Sequence, residues 1–224
     1  IIRHILKGLA SEADSLLPRE HWAHPGGLPS YTYDPALARK LLDEAGLADP
    51  DGPGPRPRFS LVYKTSQSEL RRRIATVIGD QLRRVGIHLR VRSYEWGTFF
   101  GDIRSGNFQL YSLTWVGISD PDIYRYIFHS RFVPPRGLNR GRYNNARVDD
   151  LVEAARAASH TEKRAELYAE VQRIIGRELP YVNLWHSVNV AAIDRRVSGY
   201  RVYPNEDLIS LAGVRLDPPE RRGR

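Results

Sequence analysis

Two periods of apolar residues organise the middle of the chain. Between residues 68 and 85, apolar side chains recur every three or four positions, at 70, 74, 77, 78, 82 and 85, which predicts an amphipathic helix closed by Gly86. FSLVY (59–63) precedes it and reads as a strand, and IHLRV (87–91) alternates apolar and polar residues, as a strand with one covered face does. Strand, helix and strand in succession predict a βαβ unit with parallel strands and a right-handed crossover.

Similar patterns predict elements on both sides of this unit. Asp34 as N-cap and Pro35 at the first helical position predict a helix over ALARKLLDEA that ends at Gly46. Further predicted elements are weak helix at 3–10, helix at 95–106, strand at 109–115, helices at 121–128 and 148–158, a helix capped by Thr161 and stopped by Pro180, strand-like stretches within 181–193 and short strands within 197–216. The tail PPERRGR (218–224) is expected to fray. Alternating strands and helices predict an α/β domain.

Composition bounds the class of protein. A chain of 224 residues, 41% hydrophobic and 27% charged, makes one large domain or a domain plus a piece of another. It has no run of 18 apolar residues and no signal peptide at its start. It begins with Ile and contains no Met, which favours a fragment. The absence of Cys excludes disulfides, thiolate metal sites and a cysteine nucleophile.

The net charge of +8 raises the alternative of a basic, nucleic-acid-associated protein. However, 30 of the 34 basic residues are Arg, and they are spread along the chain except for RRR at 71–73 and the C-terminal tail. This distribution does not favour a nucleic-acid partner. Salt would separate the two interpretations, because nucleic-acid binding weakens steeply with salt whereas binding of an enclosed neutral solute does not.

Several stretches in a fixed order resemble one family. They are YDPALARKLLDEAGL, the run from IATVIGDQLRRVG to WVGISDPD, NRGRYNN, VDDL, and TEKRAELYAEVQRIIGRELP. Together, from residue 1 to about 215, they resemble bacterial extracellular solute-binding proteins of family 5, the dipeptide, oligopeptide and nickel receptors of ABC importers. The resemblance implies a periplasmic-binding-protein-like α/β second lobe at 1–184 with βαβ units. It also implies a segment at 185–224 that returns to a first lobe outside this chain.

Trp115 is the leading candidate for ligand contact. It closes the predicted strand 109–115, and α/β sheets place ligands beyond the carboxyl ends of their strands. A lone Trp at a strand end is also commonly a core residue, so the residues alone leave both readings open. The resemblance implies that this Trp lines the ligand cavity, where a flat aromatic tolerates varied side chains. Gly117 would let the backbone turn closely there, and Ile118 lies in the same stretch.

Asp120 has two readings. Followed by Pro121, it is predicted to cap the helix 121–128, and its carboxylate could also border the ligand cleft. Peptide-binding members of the family usually carry a further Asp between the Trp and the Asp-Pro, where it meets the ligand's free amino group. Residues 116–119 contain no acid, so recognition of a free peptide amino terminus is not expected.

Three residues of the predicted loop 129–145 are further candidates: Asn139, Arg142 and Tyr143. They either hold the loop by hydrogen bonds or contact the ligand, because binding residues concentrate on loops carried by a rigid scaffold. Arg142 could pair with a ligand carboxylate through a bidentate contact.

The sequence offers no motif for catalysis. None of the seven His has a metal-ligand spacing, and G-x-S-x-G, P-loop and G-x-G-x-x-G motifs are absent. We therefore expect no metal, no cofactor and no enzyme activity. The interpretation is a solute-binding component of an ABC importer that captures a peptide-like small solute and delivers it to the permease subunits. Its expected location is periplasmic or extracytoplasmic, free or lipid-anchored, with no nucleic-acid partner.

Overall fold

A computed structural model describes residues 1–52 and 54–218. The strands are β1 Ala10–Glu12, β2 Phe59–Ser66, β3 Ile87–Tyr94, β4 Leu110–Tyr111, β5 Trp185–Ser187, β6 Val197–Ser198 and β7 Arg215–Leu216. The α-helices are α1 Pro35–Glu44, α2 Glu69–Arg83, α3 Trp96–Ser105, α4 Ile123–Phe128, α5 Ala146–Ala157 and α6 Thr161–Glu178, with 3₁₀ helices at Ser130–Phe132 and Ile209–Gly213. The tail expected to fray lies outside the described residues except for Pro218.

The central sheet is parallel and has the strand order β3-β2-β4. β2 pairs with β3 over eight residues, from Phe59 opposite Ile87 to Ser66 opposite Tyr94. Helix α2 connects these two strands and starts where the Ser68 hydroxyl accepts the Arg71 N–H. The predicted α/β class and the parallel βαβ unit are therefore confirmed.

A second layer of helices holds most of the core. One cluster of buried side chains comes from α4, α5, α6 and the segment before α1: Leu17, Ala23, Tyr124, Ile127, Phe128, Val148, Leu151, Val152, Ala155, Tyr168, Val171, Ile174 and Ile175. Four apolar residues of α6, Tyr168, Val171, Ile174 and Ile175, belong to this set, because residues three and four apart face the same side of a helix. The predicted cap of α1 is also confirmed, since Asp34 accepts the N–H groups of Ala36 and Leu37.

The predicted strand 109–115 is wrong beyond its first part. Only Leu110 and Tyr111 pair with β2, and residues 112–119 are irregular. Side chains take over from the backbone ladder here: the Val62 N–H donates to the Gln109 side chain at 2.7 Å, and the Tyr63 hydroxyl donates to Ser112 at 2.6 Å. Since these bonds satisfy the edge of β2 without a full partner strand, the chain leaves the sheet early.

Other boundaries also differ from the prediction. Residues 3–9 form turns rather than a weak helix, and β1 follows them. Thr161 is the first residue of α6 rather than its cap, and His160 at the cap position makes no side-chain capping bond. Of the strand-like region 181–193, only β5 is a strand. Along residues 1–52 and 54–218, no helix combines the length and apolar character needed to cross a bilayer.

The C-terminal part carries much of the exposed apolar surface. β5 pairs antiparallel with β1, from Ala10 opposite Ser187 to Glu12 opposite Trp185, and β6 pairs with β7 over two residues. Ten large apolar side chains of this part are exposed: Val182, Leu184, Val188, Val190, Ile193, Val202, Leu208, Ile209, Leu211 and Leu216. The division into 1–184 and 185–224 stays a prediction, and the β1–β5 ladder lies at its boundary.

Candidate functional site

Trp115 lies four residues beyond β4, on the carboxyl side of the sheet, and is partly buried. One part of its ring packs, with Ile118, against the helical core. Its face carries a cation, since the Arg140 guanidinium carbon lies 4.7 Å from the ring centroid. The indole is thus anchored by the core without being enclosed in it.

The same guanidinium joins a longer stack. It lies 5.3 Å from the Phe100 ring centroid, and the Phe100 ring stacks on Trp96 at 5.5 Å and 9°. We call Trp96, Phe100, Arg140 and Trp115 the aromatic stack. It links α3, the segment after β4 and the loop before α5, which places three separate parts of the chain at one surface.

Arg140 was missed by the sequence analysis, although it lies inside the motif NRGRYNN. It is only 8% exposed, whereas the flanking Arg142 is exposed. The alternation of Arg with other residues in this loop does not show which one turns inward. The available signal was weaker: an Arg between the candidates Asn139 and Arg142.

Asn139 holds this loop together. Its side-chain oxygen accepts the Tyr143 N–H at 2.9 Å, and its amide donates to the carbonyls of Tyr143 at 2.7 Å and His129 at 3.2 Å. Because both amide donors are used and the residue is 1% exposed, Asn139 has no group left to offer a solute. Of the two readings of Asn139, the geometry supports loop hydrogen bonding.

Arg142 and Tyr143 each contact other parts of the chain. Arg142, at φ +53°, lines an open groove beside Gly101 and Arg104 near the C-terminal end of α3, where a cation is favourable. The Tyr143 hydroxyl donates to Glu178, and its ring meets Phe128 edge-on at 5.9 Å. Burial, together with the Glu178 carboxylate, raises the pKa of Tyr143 above its usual range.

Asp120 does not cap α4, contrary to the prediction. The helix begins at Ile123 and its cap position is Asp122, which makes no side-chain capping bond. Asp120 instead accepts the Asp122 N–H at 2.9 Å and pairs with Arg164 at 2.8 Å. Burial works against its charge, but these hydrogen bonds outweigh burial and lower the pKa of Asp120. Residues 120–124 form turns, in which the Ile123 N–H donates to the Asp120 carbonyl at 3.3 Å and the Tyr124 N–H donates to the Pro121 carbonyl at 3.0 Å, so the helix begins two residues later than predicted.

Gly117 is needed for its backbone conformation and not because a neighbouring atom lies close to it. Its φ is +71°, and no atom lies within 4 Å of the position that a Cβ would occupy. The left-handed conformation favours glycine here, since other residues adopt it at a cost. The turn at Gly117 separates Trp115 from the ion pair of Asp120.

The carboxyl end of the central strand is polar and buried. Lys64 pairs with Asp102 at 2.7 Å and lies 5.4 Å from the Tyr94 ring centroid. The hydrogen bond from Lys64, together with one from Asn107, lowers the pKa of Asp102. Thr65 is 1% exposed, and its hydroxyl has no hydrogen-bond partner among the described residues. The sequence pattern predicted only a strand for this segment.

Comparison with known proteins places these features in a family. Residues 1–132 match the family model described as "Bacterial extracellular solute-binding proteins, family 5 Middle". The chain is 28% identical over 205 residues to the dipeptide-binding protein of Escherichia coli K12, covering 91% of this chain and 38% of that protein. It is 30% identical over 199 residues to the oligopeptide-binding protein AppA of Bacillus subtilis 168, covering 85% of this chain and 36% of AppA.

Solved structures agree with the sequence relatives. The structure of B. subtilis AppA in complex with a nonapeptide superposes with a TM-score of 0.85 at 28% identity, covering 97% of this chain and 44% of that one. DppA of Helicobacter pylori, in complex with the peptide STSA, gives a TM-score of 0.82 at 25% identity, covering 97% and 41%. The chain therefore spans well under half the length of these relatives. It belongs to the bacterial extracellular solute-binding proteins of family 5.

Proposed function

We propose that this chain is part of the solute-binding component of an ABC importer, which captures a peptide or similar small solute between two lobes. The observation that carries the proposal is the position of Trp115, anchored by the core and open on the carboxyl side of the parallel sheet. Relatives support the solute class, since AppA and H. pylori DppA are both described in complex with peptides.

The remainder of the cleft would come from a first lobe outside this chain. The ten exposed apolar side chains between 182 and 216 support this, because a first lobe packed on this part of the chain would cover them. In the proposed receptor, 1–184 belong to the second lobe and 185–224 return to the first. Solute would favour the closed state by contacting both lobes, and the permease subunits would recognise that state.

The proposed receptor binds without catalysis and acts in the periplasm or another extracytoplasmic space, free or lipid-anchored. Its affinity would come from enclosure and from aromatic packing on Trp115. A free solute amino group would not find its partner in Asp120, whose carboxylate is already paired with Arg164. Residues 116–119 contain no acid that could replace it.

The test uses the complete receptor, meaning this chain joined to the rest of its two-lobed protein. Trp115→Ala is expected to weaken the binding of a mixed-sequence peptide pool by about 1–3 kcal/mol, the scale of a lost aromatic contact. Trp22→Ala is the matched control, because Trp22 also carries an arginine, Arg164, 5.4 Å from its ring centroid. Calorimetry measures affinity, and denaturant midpoints measure stability.

Two outcomes would reject the proposal. One is a complete receptor that binds no peptide. The other is a Trp115→Ala variant that loses several kcal/mol of stability and keeps its affinity, which would make the tryptophan a core residue only.

A further inference from the structure

His186 lies in the short ladder that joins the two ends of the chain. It is the middle residue of β5 and lies opposite Ser11 of β1. Three residue pairs form this ladder, and the Val188 N–H extends it by donating to the Leu9 carbonyl at 3.0 Å. The His186 side chain is partly buried, and its Nε2 atom is buried without a hydrogen-bond partner among residues 1–52 and 54–218. Because buried polar atoms normally have a partner, this nitrogen calls for an explanation.

A proton on the imidazole of His186 is disfavoured while the ladder is closed. Both nitrogens of a protonated imidazole are donors, so Nε2 would become a buried, charged donor without an acceptor. Burial lowers the pKa of His186, and the charges of Asp14 and Glu20 oppose this only in part, while His24 adds to the effect of burial. The closed ladder therefore favours the neutral ring.

The carboxylate of Asp14 already has donors on both of its oxygens. Arg19 donates to Oδ2 at 2.7 Å, and Nε2 of His24 donates to Oδ1 at 2.9 Å. The ring proton of His24 lies on Nε2, because its Nδ1 accepts the Gly26 N–H at 3.0 Å. Asp14 thus attracts a charge on His186 without being free to pair with it.

Two further acids lie near the ladder. Glu20 is exposed, so water screens its charge. Glu12 lies opposite Trp185 in the ladder, one position along from His186, and successive side chains of a strand point to opposite faces. Glu12 is therefore on the other face of the ladder, and these acids do not give a protonated His186 a direct partner.

We propose that His186 is an acid-sensitive switch in the β1–β5 ladder, in which protonation of the imidazole favours an opened ladder and weakens solute binding. Opening brings the ring into water, where its charged form is stable. Since the folded-state pKa of His186 is lowered, the neutral ring stabilises the closed ladder above the unfolded value of about 6.5, and this stabilisation is lost as the pH falls through the folded pKa.

The effect on solute binding rests on the proposed function. β1 belongs to the segment 1–184 proposed as the second lobe, and β5 begins the segment 185–224 proposed to return to the first. An opened ladder would remove one constraint on the relative position of the lobes. The solute-bound, closed state depends on that position, so its population would fall.

The first measurement is amide hydrogen exchange of the complete receptor without solute, at pH 7.5 and pH 5.5. Exchange is divided by the intrinsic rate at each pH, and the Val188 amide and the β5 amides report on the ladder. Their protection is expected to fall by about three- to tenfold at pH 5.5, because one unit of pKa difference between the closed and open ladder changes the opening equilibrium about tenfold. The amides of the β2–β3 ladder are the internal reference and should keep their protection.

The second measurement is the affinity for a mixed-sequence peptide pool by calorimetry at the same two pH values. The Kd of the wild type is expected to rise by about three- to tenfold at pH 5.5, in step with the exchange. His186→Gln and His186→Leu remove the titrating group in a polar and an apolar form, and both should keep protection and Kd within about twofold across this range. His88→Gln, the same change at an exposed histidine of β3, should behave like the wild type.

The outcomes separate this inference from the proposed function. Ladder protection that does not change with pH in the wild type, or that changes equally in both His186 variants, would overturn the inference. So would a looser ladder at pH 5.5 with an unchanged Kd, or a pH-dependent Kd that persists in both variants. A receptor that binds no peptide at either pH would reject the proposed function, and the exchange measurement would still decide whether His186 opens the ladder.

Discussion

Gln172 is expected to be one of the most stabilising polar side chains of the lobe. It lies on α6, is 2% exposed, and reaches the segment before α1. Its side-chain oxygen accepts the Ser15 hydroxyl at 2.6 Å, and its amide donates to the Ala23 carbonyl at 2.7 Å. The Ser15 oxygen also lies 2.7 Å from the Tyr124 hydroxyl, so one buried network joins three parts of the chain.

The magnitude follows from what Gln172→Leu leaves behind. Leucine fills a similar volume, so the loss is mainly of hydrogen bonds rather than of packing. The buried Ala23 carbonyl loses the amide donor, and Ser15 keeps only the Tyr124 hydroxyl among its side-chain partners. A buried polar group left without its partner costs about 1–3 kcal/mol, so the expected loss is about 2–4 kcal/mol of unfolding free energy.

The assay is denaturant unfolding of the complete receptor, followed by a probe in this lobe. Gln81→Leu, the same change at an exposed position of α2, is the control and should stay within about 0.5 kcal/mol of the wild type. Ser15→Ala and the double variant complete a cycle. Since both residues share one hydrogen bond, their effects should fail to add by about 1 kcal/mol.

Two results would refute this reasoning. Gln172→Leu could prove as stable as Gln81→Leu, or the effects of Ser15→Ala and Gln172→Leu could add. Either would mean that the segment 14–24 is not fixed to α6 by this network. The point bears on function, because this segment follows β1, which pairs with β5 at the proposed boundary between the lobes.

Three further predictions concern the candidate site. Asn139→Ala should lower unfolding free energy by about 2–4 kcal/mol, since three hydrogen bonds are lost, whereas Asn144→Ala at an exposed neighbouring position should change little in the same denaturant assay. Gly117→Ala should cost about 1 kcal/mol because φ is +71°, measured by the same midpoints. The folded-state pKa of Asp120 is lowered, so its pairing with Arg164 stabilises above the unfolded value of about 3.9 and is lost as pH falls through the folded pKa. The wild type should therefore exceed Asp120→Asn in stability at pH 7, by less than about 1 kcal/mol because the pair is half exposed, and lose that advantage as the pH falls through the lowered folded-state pKa of Asp120. A stability difference that does not change with pH would contradict the prediction.

Long periodic segments were predictable from sequence, and short pairings were not. The apolar stripes of α2 and α6 and the cap of α1 all depend on residues a few positions apart. The length of β4 depends on its pairing with β2, and hydrogen bonds to the side chains of Gln109 and Ser112 replace most of the backbone pairing between these strands. β1 could not be predicted from its own three residues, since its partner β5 lies about 175 residues further along.

The candidate site also contains residues that the sequence could indicate and residues that it could not. Trp115 could be nominated because it follows an apolar run, even though the strand itself ends at Tyr111. The orientations of Arg140 and Arg142 could not be predicted from the sequence, because they depend on the buried hydrogen bonds of Asn139 and on the positive φ of Arg142. Local sequence thus pointed to Trp115 but not to the cation that lies over its ring.

Two charged residues near Trp115 differ in their partners. Asp120, the nearest acid that follows Trp115 in the chain, is neutralised by Arg164, and its lowered pKa keeps that pair ionised at neutral pH. Arg140 against the tryptophan ring has no such partner among the described residues. If the proposed receptor takes peptides, recognition of their amino group would therefore fall to residues other than Asp120.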